Sequence, residues 1–524
     1  MTNANIAARL FERASGDPDR VAIVETRGGR VRRTTFGELA GRVERTAAAM
    51  AAAGVGRGRV LLFVPMSIDL YVALLATLHA GATAVFVDAW ANRRRLDAAV
   101  RLAGPDLLIA PPPVHLLRLA SPALRRIPRH WAAGRRLLPL ARHERAGRPA
   151  PAPARPDDPA LITFTTGSTG SPKAAVRSHG LLWAQHLALA HHLGLGPDDV
   201  DMPTLPIFVL NNLALGVPSV LPDFDPRRPA DIDPARIMSQ IEREEVTTTS
   251  GSPAFYARLA GWCREQGRPL HVRLWTGGAP VYPPLARQLE EVTGGRAHVV
   301  YGSTEAEPIA GIGAGAMLRA MADGGAGDGI CCGVPVPEIE VRIIRPVDGP
   351  VALGMGGWTE WEVRRGEAGE IVVAGEHVVG EYLHAPEETL RHKIREGERV
   401  WHRTGDAGRV AEDGALWLLG RVSSRVVRDG VTWWGTPAEV RALSVPGVRH
   451  AAFVGLPDGA RGQRAVLCVE GATEDPAGRI DETMREALAP IPVDEVRVLP
   501  AIPRDPRHAS KTDLEALRRL LLSR

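Results

Sequence analysis

Cysteine is scarce, with four in 524 residues. They stand at Cys263, Cys331, Cys332 and Cys468, and none forms a Cys-x-x-Cys pair. That spacing suggests neither a zinc site nor a disulfide framework. The adjacent Cys331 and Cys332 read as small buried residues rather than a redox pair. Net charge is equally thin: +4, from 64 basic and 60 acidic residues. So even a balance leaves no electrostatic footprint for nucleic acid. Long apolar runs are missing too, and none reaches the length of a membrane-spanning helix. Residues 1–25 mix acids and bases where a secretion signal would be apolar. The expectation is a soluble, cytoplasmic protein with no integral membrane segment.

What is present is an ordinary globular composition, 45% hydrophobic and 24% charged, on a chain too long for one core. Short apolar runs such as Val60-Leu-Leu-Phe-Val64, Ala84-Val-Phe-Val87 and Leu107-Leu-Ile-Ala110 read as buried strands. Helical spacings lie between them, over 36–53, 69–80 and 94–102. Alternation of this kind predicts a parallel sheet with helices on both faces. A second α/β unit follows, with strands at 246–249 and 272–275 around a helix over 253–266. The Gly-rich stretch 314–329 reads as mobile, and 339–374 as a small β-rich region. From 111 to 159 the pattern weakens, and Pro, Arg and Ala dominate. That stretch reads as a solvated insertion. Contact with an anionic membrane surface is the alternative, and the lack of a sustained apolar face speaks against it.

Four short motifs carry the chemistry. The first is Ile162-Thr-Phe-Thr-Thr-Gly-Ser-Thr-Gly-Ser-Pro-Lys173. A buried strand gives way to a loop of hydroxyls and glycines, Thr165, Thr166, Gly167, Ser168, Thr169 and Gly170. Backbone N–H groups, hydroxyls and the Lys173 ammonium are the donors that a polyphosphate needs. No Gly-Lys-Ser/Thr closes the loop, so it is not a Walker motif. The same composition also suits a plain surface turn. The second motif is Tyr301-Gly-Ser-Thr-Glu305, at a strand end. Gly302 permits a tight turn, and Ser303 and Thr304 can meet phosphate oxygens. Glu305 can hold Mg²⁺, and Tyr301 can stack on a base. Thr276-Gly-Gly-Ala-Pro280 also lies at a strand end, where open α/β sheets bind ligands. The third is Trp401-His-Arg-Thr-Gly-Asp406 with Gly420-Arg421, and the fourth is Pro506-Arg-His-Ala-Ser-Lys511. Alone, a Gly-Asp is usually a turn, and a late lysine is usually solvated.

Together, and in this order, the four motifs resemble those of the adenylate-forming enzymes. That superfamily includes acyl-CoA synthetases, luciferases and the adenylation domains of peptide synthetases. The resemblance implies an α/β fold. A large N-terminal domain, 1–420, would hold two α/β sheet units and a small distorted β-barrel. A small, mobile α+β C-terminal domain, 421–524, would carry Lys511. It also implies ATP and Mg²⁺. The loop from Thr165 to Lys173 would hold the β- and γ-phosphates. Gly278 and Ala279 would line the adenine pocket, with Tyr301 stacked on the base. Thr304 would meet the α-phosphate, Glu305 would bind Mg²⁺, and Asp406 would hold the ribose hydroxyls. Arg421 would contact ribose or phosphate, and Lys511 would stabilise charge as a carboxylate attacks the α-phosphate.

Departures from the common pattern narrow the resemblance. Ala174 follows Lys173 where glycine is usual, and Ser423 stands at the hinge in place of Asp or Lys. Val209 stands where His is frequent, and Arg428-Asp-Gly-Val-Thr-Trp-Trp434 replaces a Gly-rich stretch. With Leu221-Pro-Asp-Phe-Asp-Pro226, these features are similar to the β-lactone synthetases of bacterial olefin biosynthesis. In that branch the β-hydroxyl of the acyl-AMP attacks its own carbonyl, without CoA. The substrate would be a (2-alkyl-)3-hydroxy acid, with thiolase-like and β-lactone-decarboxylating partners. An acyl-CoA or carrier-protein ligase is the alternative, and a non-catalytic adenylate-binding relative a more remote one.

Overall fold

The computed structural model describes residues 4–87, 92–133, 150–166, 172–323, 329–471, 480–505 and 511–523, without the side chains of 165 and 166. Its first sheet has six strands in the order Arg129–Ala132, Leu107–Ala110, Arg59–Leu62, Thr83–Phe86, Pro159–Thr166, Pro172–Ser178. All neighbours are parallel except the last pair, which is antiparallel. Strands buried on both faces need continuous apolar runs, and Leu107–Ala110 shows why. Leu107 and Ile109 pack into one core with helices Phe36–Ala52 and Ile68–His79. Leu108 and Ala110 pack into another with helix Arg93–Ala103. Helix Phe36–Ala52 starts where it does because Thr35 and Glu38 form a reciprocal capping box.

The second sheet has eight strands. They run Ala306–Gly313, Ala297–Ser303, Arg273–Gly277, Thr248–Gly251, Asp201–Pro203, Ser219–Leu221, Val21–Arg27, Arg30–Thr35. Its amphipathic helices Pro234–Arg243, Pro253–Glu265 and Pro283–Thr293 bury their apolar sides against it. The strand at Val21 belongs here and not to the first unit that it precedes in sequence. Ile23 pairs with Ser219 in parallel, across nearly 200 residues. A third sheet of six strands, antiparallel throughout, is built around Arg399–Val410 and Gly369–Ala374. A fourth lies wholly between 426 and 499, with Gly462–Glu470 at its centre. Helices Gly435–Ala442 and Ile480–Leu488 cover one face of it and Leu514–Leu522 the other.

Two expectations change. Residues 314–323 form a helix, because Ala314, Met317 and Met321 fall on one buried stripe that outweighs the neighbouring glycines. In the weak stretch after 111, three short helices lead into strand Arg129–Ala132, which extends the first sheet. All four cysteines are buried and unbridged. Among the described residues, no helix is long and apolar enough to cross a membrane.

Candidate active site

A cleft of about 2170 Å³ collects residues from all four sheets. Lys173, Gly278, Ala279, Tyr301, Gly302, Ser303, Thr304, Glu305, Asp406, Arg421 and Lys511 all line it. Motifs spread over more than 300 residues therefore face one space. Strands Thr248–Gly251, Arg273–Gly277 and Ala297–Ser303 are parallel neighbours and end towards it. Gly277 is needed for close approach: an added Cβ would lie 2.5 Å from the Val300 carbonyl oxygen. Gly278 turns the chain at φ +81°, where a side chain would be strained. Of the expected cradle, Thr165 and Thr166 sit at the tip of a hairpin, in register with Lys173 and Pro172. Gly167, Ser168, Thr169 and Gly170 lie outside the described residues. Lys173 is on a strand rather than at the start of a helix, which accords with a cradle that is not a Walker loop.

Lys173 is buried, and its Nζ lies 2.6 Å from Glu388 Oε2 and 2.6 Å from His392 Nε2. An ammonium has no acceptor, so Nε2 accepts and the imidazole proton sits on Nδ1. Burial, and then the charge of Lys173, push the His392 pKa down to about 4, which keeps the ring neutral. Beside it the Tyr382 hydroxyl donates to Glu305 Oε1 at 3.0 Å. Burial and the Glu305 carboxylate hold that phenol well above its ordinary pKa, so it remains a donor. These partners come from 378–393, which is stitched to both the first and the second sheet. Ala175 bridges Tyr382, Ala306 bridges Val378, and Val379 N donates to Glu305 O at 2.8 Å. Buried Arg403 fastens the same segment, pairing with Glu370 at 2.6 Å and donating to Arg391 O at 3.1 Å. A second cation, Arg177, donates to Thr304 O at 2.5 Å. Burial lowers its pKa, against the raising effect of Glu307 and Glu305.

Elsewhere in the cleft the Tyr301 hydroxyl donates to Asp406 Oδ2 at 2.9 Å, and Arg421 Nε lies 3.1 Å from Asp406 Oδ1. Asp406 and Arg421 are direct cross-strand partners, which is what sets this geometry. Burial, then Asp406, raise the Tyr301 pKa, so the phenol keeps its proton. The result is an oriented carboxylate on the cleft wall, suited to vicinal hydroxyls. Lys511 reaches the cleft from the fourth sheet's side, beside Arg504 and Asp505, and its carbonyl accepts from Asp505 N at 2.8 Å. The Tyr282 hydroxyl bonds the buried Glu439 of helix Gly435–Ala442 and ties that side to the second sheet. Val209 is fully buried in the core, while its helix gives the cleft Ile207 and Leu210.

Two buried hydroxyls of cleft-lining residues, Thr163 Oγ1 and Ser303 Oγ, have no protein partner among the described residues. Such orphans fit a polar ligand. Among the described residues no group of three or more His, Cys, Asp or Glu could hold a metal. A Mg²⁺ ion would then depend on Glu305 and on phosphate oxygens, which is how Mg²⁺ is commonly held. Arg177, Tyr382, Glu388 and His392 were not singled out from sequence. Arg177 had a readable signal: it repeats the strand alternation from Lys173, a charge in an otherwise apolar run. The other three lie some 200 residues away and gave none.

The model of AMP-binding enzymes matches residues 10–383. The chain is 37% identical to an olefin beta-lactone synthetase of Stenotrophomonas maltophilia, over 98% of this chain and 97% of that one. It is 35% identical to an olefin beta-lactone synthetase of Xanthomonas campestris, again over 98% and 97%. ATP-bound MatB from Rhodopseudomonas palustris superimposes with a TM-score of 0.79, at 25% identity and 99% coverage of both chains.

Proposed function

Because the chain belongs to the AMP-binding enzyme family and is an adenylate-forming ligase, we propose that it activates a 3-hydroxy acid as its acyl-AMP and closes it to a β-lactone. The observation that carries this reading is the near full-length identity to two beta-lactone synthetases. The departures at Ala174, Val209, Ser423 and 428–434 accord with it.

A carboxylate oxygen of the acid attacks the α-phosphorus of ATP, and pyrophosphate leaves. The β-hydroxyl oxygen then attacks the acyl carbonyl, AMP leaves and the hydroxyl proton is released. The second nucleophile is intramolecular, so its effective concentration offsets ring strain. In this reading Lys173, Arg177 and the 165–170 loop hold the outer phosphates. Thr304 meets the α-phosphate, Gly278 and Ala279 line the adenine pocket with Tyr301 stacked on the base, Asp406 holds the ribose hydroxyls, and Arg421 contacts ribose or phosphate. Glu305 would hold a Mg²⁺ ion, which would supply neutralisation of phosphate charge. Lys511 is delivered by a mobile C-terminal domain beginning at 421 and stabilises the charge that builds as two anions meet. The enzyme works in the cytoplasm. A carbon–carbon condensing, thiolase-like reaction supplies its substrate, and a decarboxylating one consumes the lactone.

The test is incubation with ATP, Mg²⁺ and racemic 2-alkyl-3-hydroxy acids, with and without CoA. A β-lactone with AMP and pyrophosphate, formed without CoA, is the expected product. A CoA thioester with no lactone would overturn the reading.

A further inference from the structure

The cleft has apolar lining, including Leu70, Leu74, Ile207 and Leu210, and Pro111 and Val114 line it as well. There the chain leaves the first sheet as three short helices, Pro112–His115, Leu117–Ala120 and Pro122–Arg125. Their inner side is conventional, since Ala123, Leu124 and Ile127 are buried with Leu96 and Ala99. Their outer side is not. Leu116 is 68% exposed, Leu117 44% and Leu119 81%. Single exposed leucines are ordinary. Three within four residues form a cluster of apolar knobs at one edge of a substrate-sized cleft.

The charge of this part of the chain is one-sided. Residues 92–133 hold eight arginines against two acids, Asp97 and Asp106. Both acids are engaged: Asp97 accepts from Ser121 Oγ, and Asp106 accepts from Arg59 N at 2.9 Å. Arg93, Arg94 and Arg95, which open the helix packed beneath, are exposed, as are Arg101, Arg125 and Arg126. The chain as a whole is nearly neutral, so this excess is local.

We infer that this face docks on an anionic lipid bilayer. Leu116, Leu117 and Leu119 enter the boundary between headgroups and acyl chains, and the arginines face lipid phosphates. Exposed apolar knobs on a segment rich in exposed cations are the donor set for that surface. A protein partner is less well matched, because specific interfaces rely on aromatic anchors and about 800 Å² from each side. Here the nearby Trp131 is buried, and three leucines make a small patch. Docked this way, the Pro111–Val114 edge faces the membrane, and an acyl chain can pass between bilayer and cleft without crossing water. The inference holds for any lipid-like acid and does not depend on lactone formation.

The full chain should sediment with phosphatidylcholine vesicles containing phosphatidylglycerol, and not with phosphatidylcholine alone. The binding should weaken as salt rises. Two double variants, Leu116→Ser with Leu119→Ser and Arg125→Glu with Arg126→Glu, should each bind roughly tenfold more weakly. Their melting temperatures and their ATP–pyrophosphate exchange with a short soluble acid should stay unchanged. Wild-type protein that ignores anionic vesicles would overturn the proposal. So would double variants that bind as well as wild type. If the leucine variant instead abolished self-association in sedimentation velocity, with no vesicle binding at any stage, the patch would be a contact between copies and the proposal would fall.

Discussion

Lys173 and His392, 219 residues apart in sequence, meet at 2.6 Å with the lysine donating and the neutral imidazole accepting. The same ammonium is 2.6 Å from the Glu388 carboxylate. The phosphate-binding cation of the proposed reaction is thus positioned by a segment that no motif marks. It is also partly neutralised there, before any phosphate arrives.

That arrangement predicts opposite effects of one substitution. Glu388→Gln removes the carboxylate that shares Lys173 with incoming phosphate. ATP should bind more tightly, with KM falling a few-fold, because less competing negative charge remains. Stability should fall by about 1–2 kcal/mol, since a buried ammonium loses its ionic partner while Glu388 itself is partly solvated. Steady-state kinetics and thermal melts check both. A rise in KM together with the stability loss would show that Glu388 acts by orienting Lys173.

Asp406 makes a different prediction. Its carboxylate is held by Tyr301 and Arg421 on the cleft wall. A group placed for two ribose hydroxyls should discriminate ATP from 2′-deoxy-ATP. Asp406→Ala should raise KM for ATP at least tenfold and bring the two nucleotides to within about twofold of each other. Pyrophosphate exchange with each nucleotide reads this out. Preserved discrimination would remove Asp406 from the ribose.

Much of the cleft's lining was legible because its motifs are short and local. Hydroxyls, glycines and a lysine adjacent from Thr165 to Lys173 read as a phosphate cradle, and Lys173 does line the cleft. The parallel sheets were legible because strands such as Leu107–Ala110 are apolar on both faces. Pairing across long separations was not. Nothing near Val21 says that it will lie beside Ser219, because register follows from which distant edge is open. Tyr382, Glu388 and His392 escaped for the same reason: their role is set by what folds against them. The helix at 314–323 was hidden by flanking glycines, although its buried stripe of Ala314, Met317 and Met321 was there to be read.

Lys511 is the clearest test of the charge-stabilising role. It lines the same cleft as Lys173, from a different sheet's side. If it acts on charge that develops during attack, removing it should slow chemistry and spare ground-state binding. Lys511→Ala should reduce acyl-AMP formation by at least about 100-fold. ATP affinity by calorimetry should change by no more than about threefold. Unchanged adenylation would refute the role.

Lys393 supplies a pH dependence whose sign follows from its surroundings. It is 4% exposed and sits 5.3 Å over the Tyr382 ring, and its Nζ donates to Val379 O. Burial drives its pKa down from 10.5 to about 7, with Glu305 opposing the shift and Lys173 adding to it. In the unfolded chain the amine keeps its proton up to about 10.5, whereas in the native state it keeps it only to about 7. Between those values the unfolded state binds more protons, so stability rises with pH across the window. Below about 7 both states are charged, and the full desolvation cost weighs on the native state. Lys393→Met carries no proton in either state and has no such slope. The melting temperature of the variant, relative to wild type, should therefore be highest near pH 6.5 and decline steadily towards pH 9.5. Calorimetric scans at intermediate pH values measure that difference directly. A difference that stays constant with pH would mean that Lys393 titrates in the folded protein as it does in water.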